Sequence, residues 1–410
     1  MLPVHHLRQF LPASHLLLIA LVTLFLTAQA AFAATVNVRD FGAVGDGVTD
    51  DQTAIQNAIN FAAATPGSTV LFPPGNYLHT GQLTVNGVNL VGKGATITAG
   101  AFSASIVLGA TGSTLSGLII DATVGASIGV HFNNATQFSM RNTVIAAKFV
   151  NPLTVSFSSD GVIDGNQVGI NSPIVRNRIL GMVGVNRVVI SNNTFIGNAT
   201  ATNGIDLQGA DNDISIVSNL FTDGLGGVRF LNVSGNNFNI SKNIILRAAA
   251  SGISLLNTNS ITVEKNTIRG LDLDAFRGIN VDGTTNCRII KNDINQFTTG
   301  IQTQNCTNIS MVKNTISRCG RQGISVISGA AAAGAFVINK NGLSDCGLSG
   351  ATSAVIEVGQ DDFTSLAITG NSYKGSTANL AFFIRCLVPI PPTVAFGNKT
   401  ATLLPSQFGP

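Results

Sequence analysis

The sequence predicts an all-β chain wound into a parallel β-helix, a solenoid of short stacked strands. Three observations carry this. The first is a repeated pattern of eight residues: apolar, any, apolar, any, any, Asn, any, apolar. It appears as VVISNNTF (188–195), ISIVSNLF (214–221), FNISKNII (238–245), ITVEKNTI (261–268), CRIIKNDI (287–294), ISMVKNTI (309–316), FVINKNGL (336–343) and LAITGNSY (366–373). Its asparagines, at 193, 219, 243, 266, 292, 314, 341 and 371, recur every 22 to 30 residues. A period in the twenties is that of a repeat that buries its apolar face against its neighbours.

The second observation is alternation inside the repeat. Apolar residues two apart form a strand with one face inward. Ile240, Val263, Ile289, Met311, Ile338 and Ile368 make one inward column, and Phe195, Phe221, Ile245, Ile268, Ile294, Ile316 and Leu343 another. The Asn between them falls where the chain must turn. It tolerates left-handed dihedrals, and stacked amides can bond along the column. The third observation is a second signature, Gly-apolar-any-apolar, beginning at Gly204, Gly227, Gly252, Gly278, Gly300 and Gly323. Each coil therefore holds at least three strands. Leucine-rich repeats would need a Leu-rich consensus and helical segments, and neither is present.

Composition agrees. Of 410 residues, 45% are hydrophobic, 44 are Gly and only 10% are charged, which suits stacked strands around a dry interior. The formal net charge of +3, with no Trp and two Tyr, gives no basis for nucleic-acid binding, which uses a clustered positive field and stacking rings.

In chain order, residues 1–33 read as a secretory signal: Arg8, the apolar run LLLIALVTLFL (16–26) and an A-x-A site at 31–33. The run is short for a span of about 20 residues, so the mature chain is expected to be secreted, extracellular or periplasmic, with no membrane segment after cleavage. A β-helix domain is expected over 34–386. It opens with a short amphipathic helix whose stripe is Ala54, Ile55, Ala58, Ile59 and Ala62, started by a capping box of Thr49 and Gln52. Such a helix covers the open end of the solenoid. Asp40, Asp46, Asp50 and Asp51 read as turn and helix-start acids. Pro73-Pro74-Gly75 is a turn between two strands. Early coils are less regular: Asn166 and Asn177 both carry the Asn pattern but lie 11 apart, so the register over 160–185 stays open. Residues 387–410 carry several Pro and read as a tail that stops the sheet.

The stretch VNVRDFGAVGDGVTDDQTAIQNAI (36–59), with VLFPPGNYL (70–78) and LVGKGATI (90–97), resembles the opening of the pectate-lyase-like superfamily, which includes polygalacturonase-related proteins and phage tailspike domains. The Asn-turn coils extend the likeness to about residue 375. The resemblance implies a right-handed parallel β-helix with an N-terminal capping helix, and polysaccharide as the usual partner. It does not imply one reaction, because the fold hosts lyases, hydrolases, epimerases and non-catalytic fibres.

Function then belongs to the outer face. In the Gly-apolar-any-apolar strand the variable residue points outward, giving His131, Thr154, Asp206, Arg229, Ser254, Asn280, Gln302, Ser325 and Glu357 up the column. Coils lie ~4.8 Å apart, which makes Asp206 and Arg229 neighbours. Gln208 and Asp282 lie two positions on, and the loops entering this strand carry Asp223, Arg247, Arg269, Asp272, Asp274, Arg277, Arg318 and Arg321. In the resembled superfamily this strand and its entering loops form the sugar groove. Asp206, Arg229 and Asp282 are accordingly the candidate catalytic residues, with Arg277, Asn280, Gln208 and Arg247 as candidate substrate contacts.

Three chemistries stay open. A uronate lyase needs a base at the C5 proton and a cation on the carboxylate. Arg229 or Arg277 can serve as base or clamp, and Asp272, Asp274 and Asp282 are candidate ligands for Ca2+. A hydrolase needs two carboxylates about 5–10 Å apart. Asp206 and Asp282, three coils apart, would be ~14 Å apart, so Asp206 with Asp223 or Asp274 fits better. The hydrolase branch carries Gly-His-Gly and Arg-Ile-Lys motifs that are missing here, and Gln360-Asp361-Asp362 comes too late to be its paired Asp. The third is a non-catalytic glycan-binding fibre. Finally, Cys319 and Cys346 each lie five residues after a repeat Asn, so they occupy one station on successive coils, either bridged or as stacked thiols. Cys287 replaces Ile in an inward column and is expected to be buried.

Overall fold

The computed structural model describes residues 33–409 apart from 102, 104, 124–125, 147, 170–177, 198–202, 225, 328–333, 348–352, 360–362, 376–379, 387–394 and 401–407. The expected leader lies almost wholly outside the described residues, as do Asn177 and Gln360 to Asp362. Short strands follow one another from Thr35 to Gly409, and all their pairings are parallel, between one coil and the next. One coil consists of Arg277–Asp282, Thr285–Ile290 and Asp293–Phe297, here termed its first, second and third strands. The chain then returns as Thr299–Gln304, stacked on Arg277–Asp282. The chain is a parallel β-helix, as the repeat predicts.

Both predicted inward columns form. Ile240, Val263, Ile289, Met311, Ile338 and Ile368 pair in register along the second strands. Phe195, Phe221, Ile245, Ile268, Ile294, Ile316 and Leu343 do so along the third. All are buried, each contributing roughly 1.5–3 kcal/mol of transfer free energy against the entropy of ordering the chain. Cys287 fills the Ile261–Ile309 column, fully buried. The signature glycines let the third strand approach: a Cβ on Gly278 would meet Ile294 Cγ2 at 2.2 Å.

The asparagines form a continuous buried ladder. Each Asn Nδ2 donates to the next Asn Oδ1 at 2.9–3.0 Å, from Asn166 through 193, 219, 243, 266, 292, 314 and 341 to Asn371. Each backbone N–H of the ladder donates to the same oxygen, for example Asn266 N to Asn292 Oδ1 at 3.0 Å. The ladder begins at Asn166, one coil before the obvious repeat, and Ser159–Asp164 stacks under Asn186–Ser191, which assigns the register left open there. The left-handed residue at this corner is the one before the ladder Asn, not the Asn itself: Asn192, Ser218, Lys242, Lys265, Lys291, Lys313, Lys340 and Gly370 all have φ between 54° and 64°.

The N-terminal helix spans Gln52–Ala63 and buries Ile55, Ala58, Ile59 and Ala62. The expected capping box does not form. Thr49 is held by Asp46, whose carboxylate takes the Thr49 N–H at 2.7 Å and its hydroxyl at 2.8 Å. Gln52 instead reaches the backbone of Gly81 and Gln82. Asp51 turns back to accept from Val44 N and Gly45 N at 2.7 and 3.0 Å. Asp46 and Asp51 are thus turn-forming acids. At the other end the sheet does not stop where expected: Ala395–Thr400 pairs with Phe363–Lys374, and Phe408–Gly409 with Leu380–Cys386. Cys319 and Cys346 are in register as predicted, but as free, buried thiols rather than a bridge. Hydrogen bonding to the Cys346 thiol, with burial, pushes the Cys319 thiol up. Among the described residues no helix is long and apolar enough to cross a membrane.

One buried acid departs from the pattern. Asp211, at the corner between first and second strands, is fully buried; its Oδ1 accepts from Val185 N at 2.6 Å, and its Oδ2 has no hydrogen-bond partner. Burial pushes its carboxyl from 3.8 up to about 6. The folded state therefore keeps a proton that the unfolded chain releases. The stability this confers is complete below the unfolded value and lost as pH rises through about 6. Its size is about 3 kcal/mol. Asp211→Asn is expected to flatten that limb, so the wild type should lose about 3 kcal/mol relative to the variant between the two limits. Parallel wild-type and variant denaturation curves across the range would refute this.

Candidate functional site

The outward residues of the first strands make one column, as the alternation requires. His131, Thr154, Gly181, Asp206, Arg229, Ser254, Asn280, Gln302, Ser325, Glu357 and Arg385 pair successively in register. Charge appears at two places on this column, separated by four neutral polar residues.

The lower place is closed. Arg229 Nε and Nη2 donate to the two Asp206 oxygens at 2.8 and 2.9 Å, Gln208 Nε2 donates to Oδ2 at 2.9 Å, and Arg178 Nη1 stands 3.7 Å away. The Asp206 side chain is only 1% exposed. Its oxygens are occupied by donors, so the geometry makes it the centre of an ion-pair cluster rather than a free acid or base. The same bonds stabilise the charged Arg229 and raise its proton affinity further, which is opposite to what a base requires.

The upper place is open. A cleft of about 390 Å³ lies over the first strands of the later coils. Gln302, Ser325 and Glu357 form its floor, Arg277, Thr299, Arg321 and Gln322 its wall, and Asp274 and Phe276 its lip. Gln302 and Ser325 are nearly buried. The lip belongs to loop 271–276, which hydrogen bonds pin to the coil above: Thr298 N to Ala275 O at 2.7 Å, and Thr298 Oγ1 to Leu273 O at 2.9 Å. Phe276 is 61% exposed there. Glu357 accepts from Gln322 Nε2 at 3.1 Å and faces Arg385 at 3.9 Å. Arg277 and Arg321 make no side-chain hydrogen bond or ion pair with any described residue. Burial lowers the pKa of Arg277, an effect that the charge of Asp282 opposes.

The predicted site residues therefore divide. Arg277 and Asp274 line the cleft, and Asn280 sits one coil below its floor. Asp206, Arg229 and Gln208 form the closed cluster. Asp282 lies at the far end of its strand and accepts from Asn305 at 3.0 Å. Arg247 is spent on an exposed ion pair with Asp223 at 2.9 Å. The calcium set does not assemble. Asp272 caps its own loop by accepting from Asp274 N and Ala275 N at 3.0 Å, and among the described residues no three His, Cys, Asp or Glu side chains gather to hold a metal. Arg178 was hidden in the stretch of unassigned register. Gln322 and Phe276 were missed because each precedes a signature strand and faces the groove only through loop conformation.

The described residues thus form a parallel β-helix with a polar cleft on one outer strand face. The chain belongs to the rhamnogalacturonase A/epimerase, pectate lyase-like family, whose sequence model matches residues 35–280. That match includes Arg277 but ends before Arg321 and Glu357. A mannuronan C5-epimerase of Azotobacter vinelandii is 63% identical over 41 residues, 10% of this chain and 5% of that protein. The plasmin and fibronectin-binding protein A of Streptococcus pneumoniae is 56% identical over 43 residues, 10% of this chain and 6% of that one. The chain thus spans only a small part of these relatives. Among solved structures, the tailspike of E. coli bacteriophage HK620, in complex with a pentasaccharide, superimposes with a TM-score of 0.67 at 11% identity, over 89% of this chain and 78% of that one. The N-terminal fragment of bacteriophage Phi29 gene product 12 gives 0.67 at 15% identity, over 96% and 74%. These structures share the fold.

Proposed function

We propose that this protein is exported, binds an acidic polysaccharide along the first-strand face, and cleaves it in the upper cleft by β-elimination. The observation that carries this is the pair of uncommitted guanidiniums, Arg277 and Arg321, on one wall of a cleft whose floor presents a single carboxylate, Glu357. A uronate sets its carboxylate beside the C5 proton. Arg321 neutralises the carboxylate, which acidifies that proton. Arg277, whose hold on its own proton is weakened by burial, removes it as base when deprotonated. The C5–H electron pair becomes the C4=C5 bond, the C4–O bond breaks, and the departing oxygen takes a proton from water. Asn280 and Gln302 extend the groove as hydrogen-bonding contacts. Hydrolysis fits less well, because it needs a pair of carboxylates, and Glu357, the one on the cleft floor, is held by Gln322 and faces Arg385.

A second reading, a non-catalytic glycan-binding fibre, has one observation in its favour. A short local match links this chain to an epimerase, and another of similar length and identity links it to a plasmin and fibronectin-binding protein, so short matches of this kind do not separate enzymes from binders. The test uses the full mature chain on polygalacturonate and alginate, following ultraviolet absorbance of the unsaturated product and release of reducing ends together. Both signals should rise on at least one polymer, and Arg277→Ala/Arg321→Ala should lower them by about a hundredfold or more. Reducing ends without absorbance would indicate a hydrolase, and binding without either would indicate a fibre.

A further inference from the structure

The corner between the second and third strands carries a feature that the cleft does not use. Lys242, Lys265, Lys291, Lys313 and Lys340 occupy the same left-handed station on five consecutive coils, and all five are exposed. Their stacking is direct. Lys242 N donates to Glu264 O, Lys265 N to Ile290 O, Lys291 N to Val312 O and Lys313 N to Asn339 O, each acceptor being the residue just before the next lysine. Five ammonium groups thus stand in a row about 19 Å long at the ~4.8 Å coil spacing. Only Lys265 has a side-chain partner among the described residues, Glu264 at 3.3 Å. The nearby Asp293 is bound to Arg269.

The fold does not require this. The station needs a residue that accepts positive φ, and its other occupants are Asn192, Ser218 and Gly370, of which Asn and Gly tolerate such a conformation more readily than lysine. Like charges stacked on neighbouring strands are destabilising. Five lysines in succession therefore carry an electrostatic cost that neutral residues at the same corner avoid, and a bound anion would remove it.

We infer that this lysine ladder is a second binding surface, for the backbone of a linear polyuronate. Such a polymer carries one carboxylate per sugar ring, so its charges recur at an interval close to one coil. Duplex DNA presents one charge per ~1.7 Å of axis and meets a one-charge-per-coil row poorly. The ladder lies at a different corner from the cleft, separated from the first strands by the second and third. It would retain polymer while the cleft engages a segment, and it stands whether or not the cleft does chemistry.

The test replaces Lys242, Lys291 and Lys313 together with Asn, the residue already used at this station, and leaves the Lys265–Glu264 pair intact. Binding of wild type, the triple variant and the cleft variant Arg277→Ala/Arg321→Ala is measured on immobilised alginate, polygalacturonate and neutral dextran across a salt series. Unchanged melting and circular dichroism verify the fold. Expected is at least about a tenfold loss of polyuronate affinity in the triple variant, with a shallower salt dependence, negligible binding to dextran, and retained polymer binding in the cleft variant. Cleft turnover on short oligouronates should be unaffected by the triple variant. Equal polyuronate affinity in wild type and triple variant overturns the inference. So does preferential ladder-dependent binding to duplex DNA or to phosphatidylserine vesicles, which would assign the row to another polyanion.

Discussion

Replacing Asn292 with Ala is expected to destabilise the solenoid by about 3–5 kcal/mol. Asn292 Nδ2 donates to Val263 O at 2.9 Å and to Asn314 Oδ1 at 3.0 Å, while its Oδ1 accepts from Asn266 N and Asn266 Nδ2. Alanine leaves the Asn266 N–H and the Val263 carbonyl buried without these partners, each at about 1–3 kcal/mol, and adds a cavity. Asn292→Asp should fail as well, because a carboxylate can accept from Asn266 but cannot donate to Val263 or Asn314. The exposed Thr315→Ala, at the start of the next third strand, serves as the control. Because each coil contacts only its neighbours, hydrogen exchange should rise first in the second and third strands flanking residue 292. A loss below about 1 kcal/mol in denaturant titration would mean that water replaces the amide and the ladder is dispensable.

Arg229→Ala is expected to cost about 3–5 kcal/mol, because it strands the buried Asp206 carboxylate with Gln208 and a more distant Arg178. Replacing both partners, Asp206→Leu with Arg229→Met, should recover much of that stability, since no unpaired charge then remains inside. The double variant should also keep polysaccharide turnover if the upper cleft is the site. The outcome that would restore the pair to catalysis is a lost turnover in Arg229→Ala at an unchanged melting temperature. Measuring stability and turnover on the same samples separates the two roles.

Both predictions rest on features that were legible to different degrees. Asn292 and its ladder could be read in advance, because a buried turn repeated on every coil must satisfy the same backbone groups each time, and one residue type does so. Its exact corner was misplaced by one residue, since tolerance of positive φ is shared by Lys, Ser and Asn and does not mark which of two adjacent positions turns. The adjacency of Asp206 and Arg229 was legible too, from strand alternation alone. The closure of their cluster was not, because one member, Arg178, comes from a stretch whose coil register the repeat left open.

The local order of this protein was therefore determined by sequence: three strands per coil, two inward columns, one outward column on the first strands and a capping helix at the N-terminal end. Period-2 alternation and a repeated turn are local properties, and stacking propagates them from coil to coil without further information. Which outward charges neutralise each other and which remain facing a gap was decided only by the tertiary structure. Asp206 and Arg229 sit in the same column as Glu357, and nothing in their spacing distinguishes a closed cluster from an open cleft. The difference arises where loop 271–276 is pinned over the next coil to raise a wall and lip, and where the guanidiniums at 277 and 321 form no ion pair with any described residue. Those are contacts among long side chains and an irregular loop, set by three-dimensional packing rather than by any period in the chain.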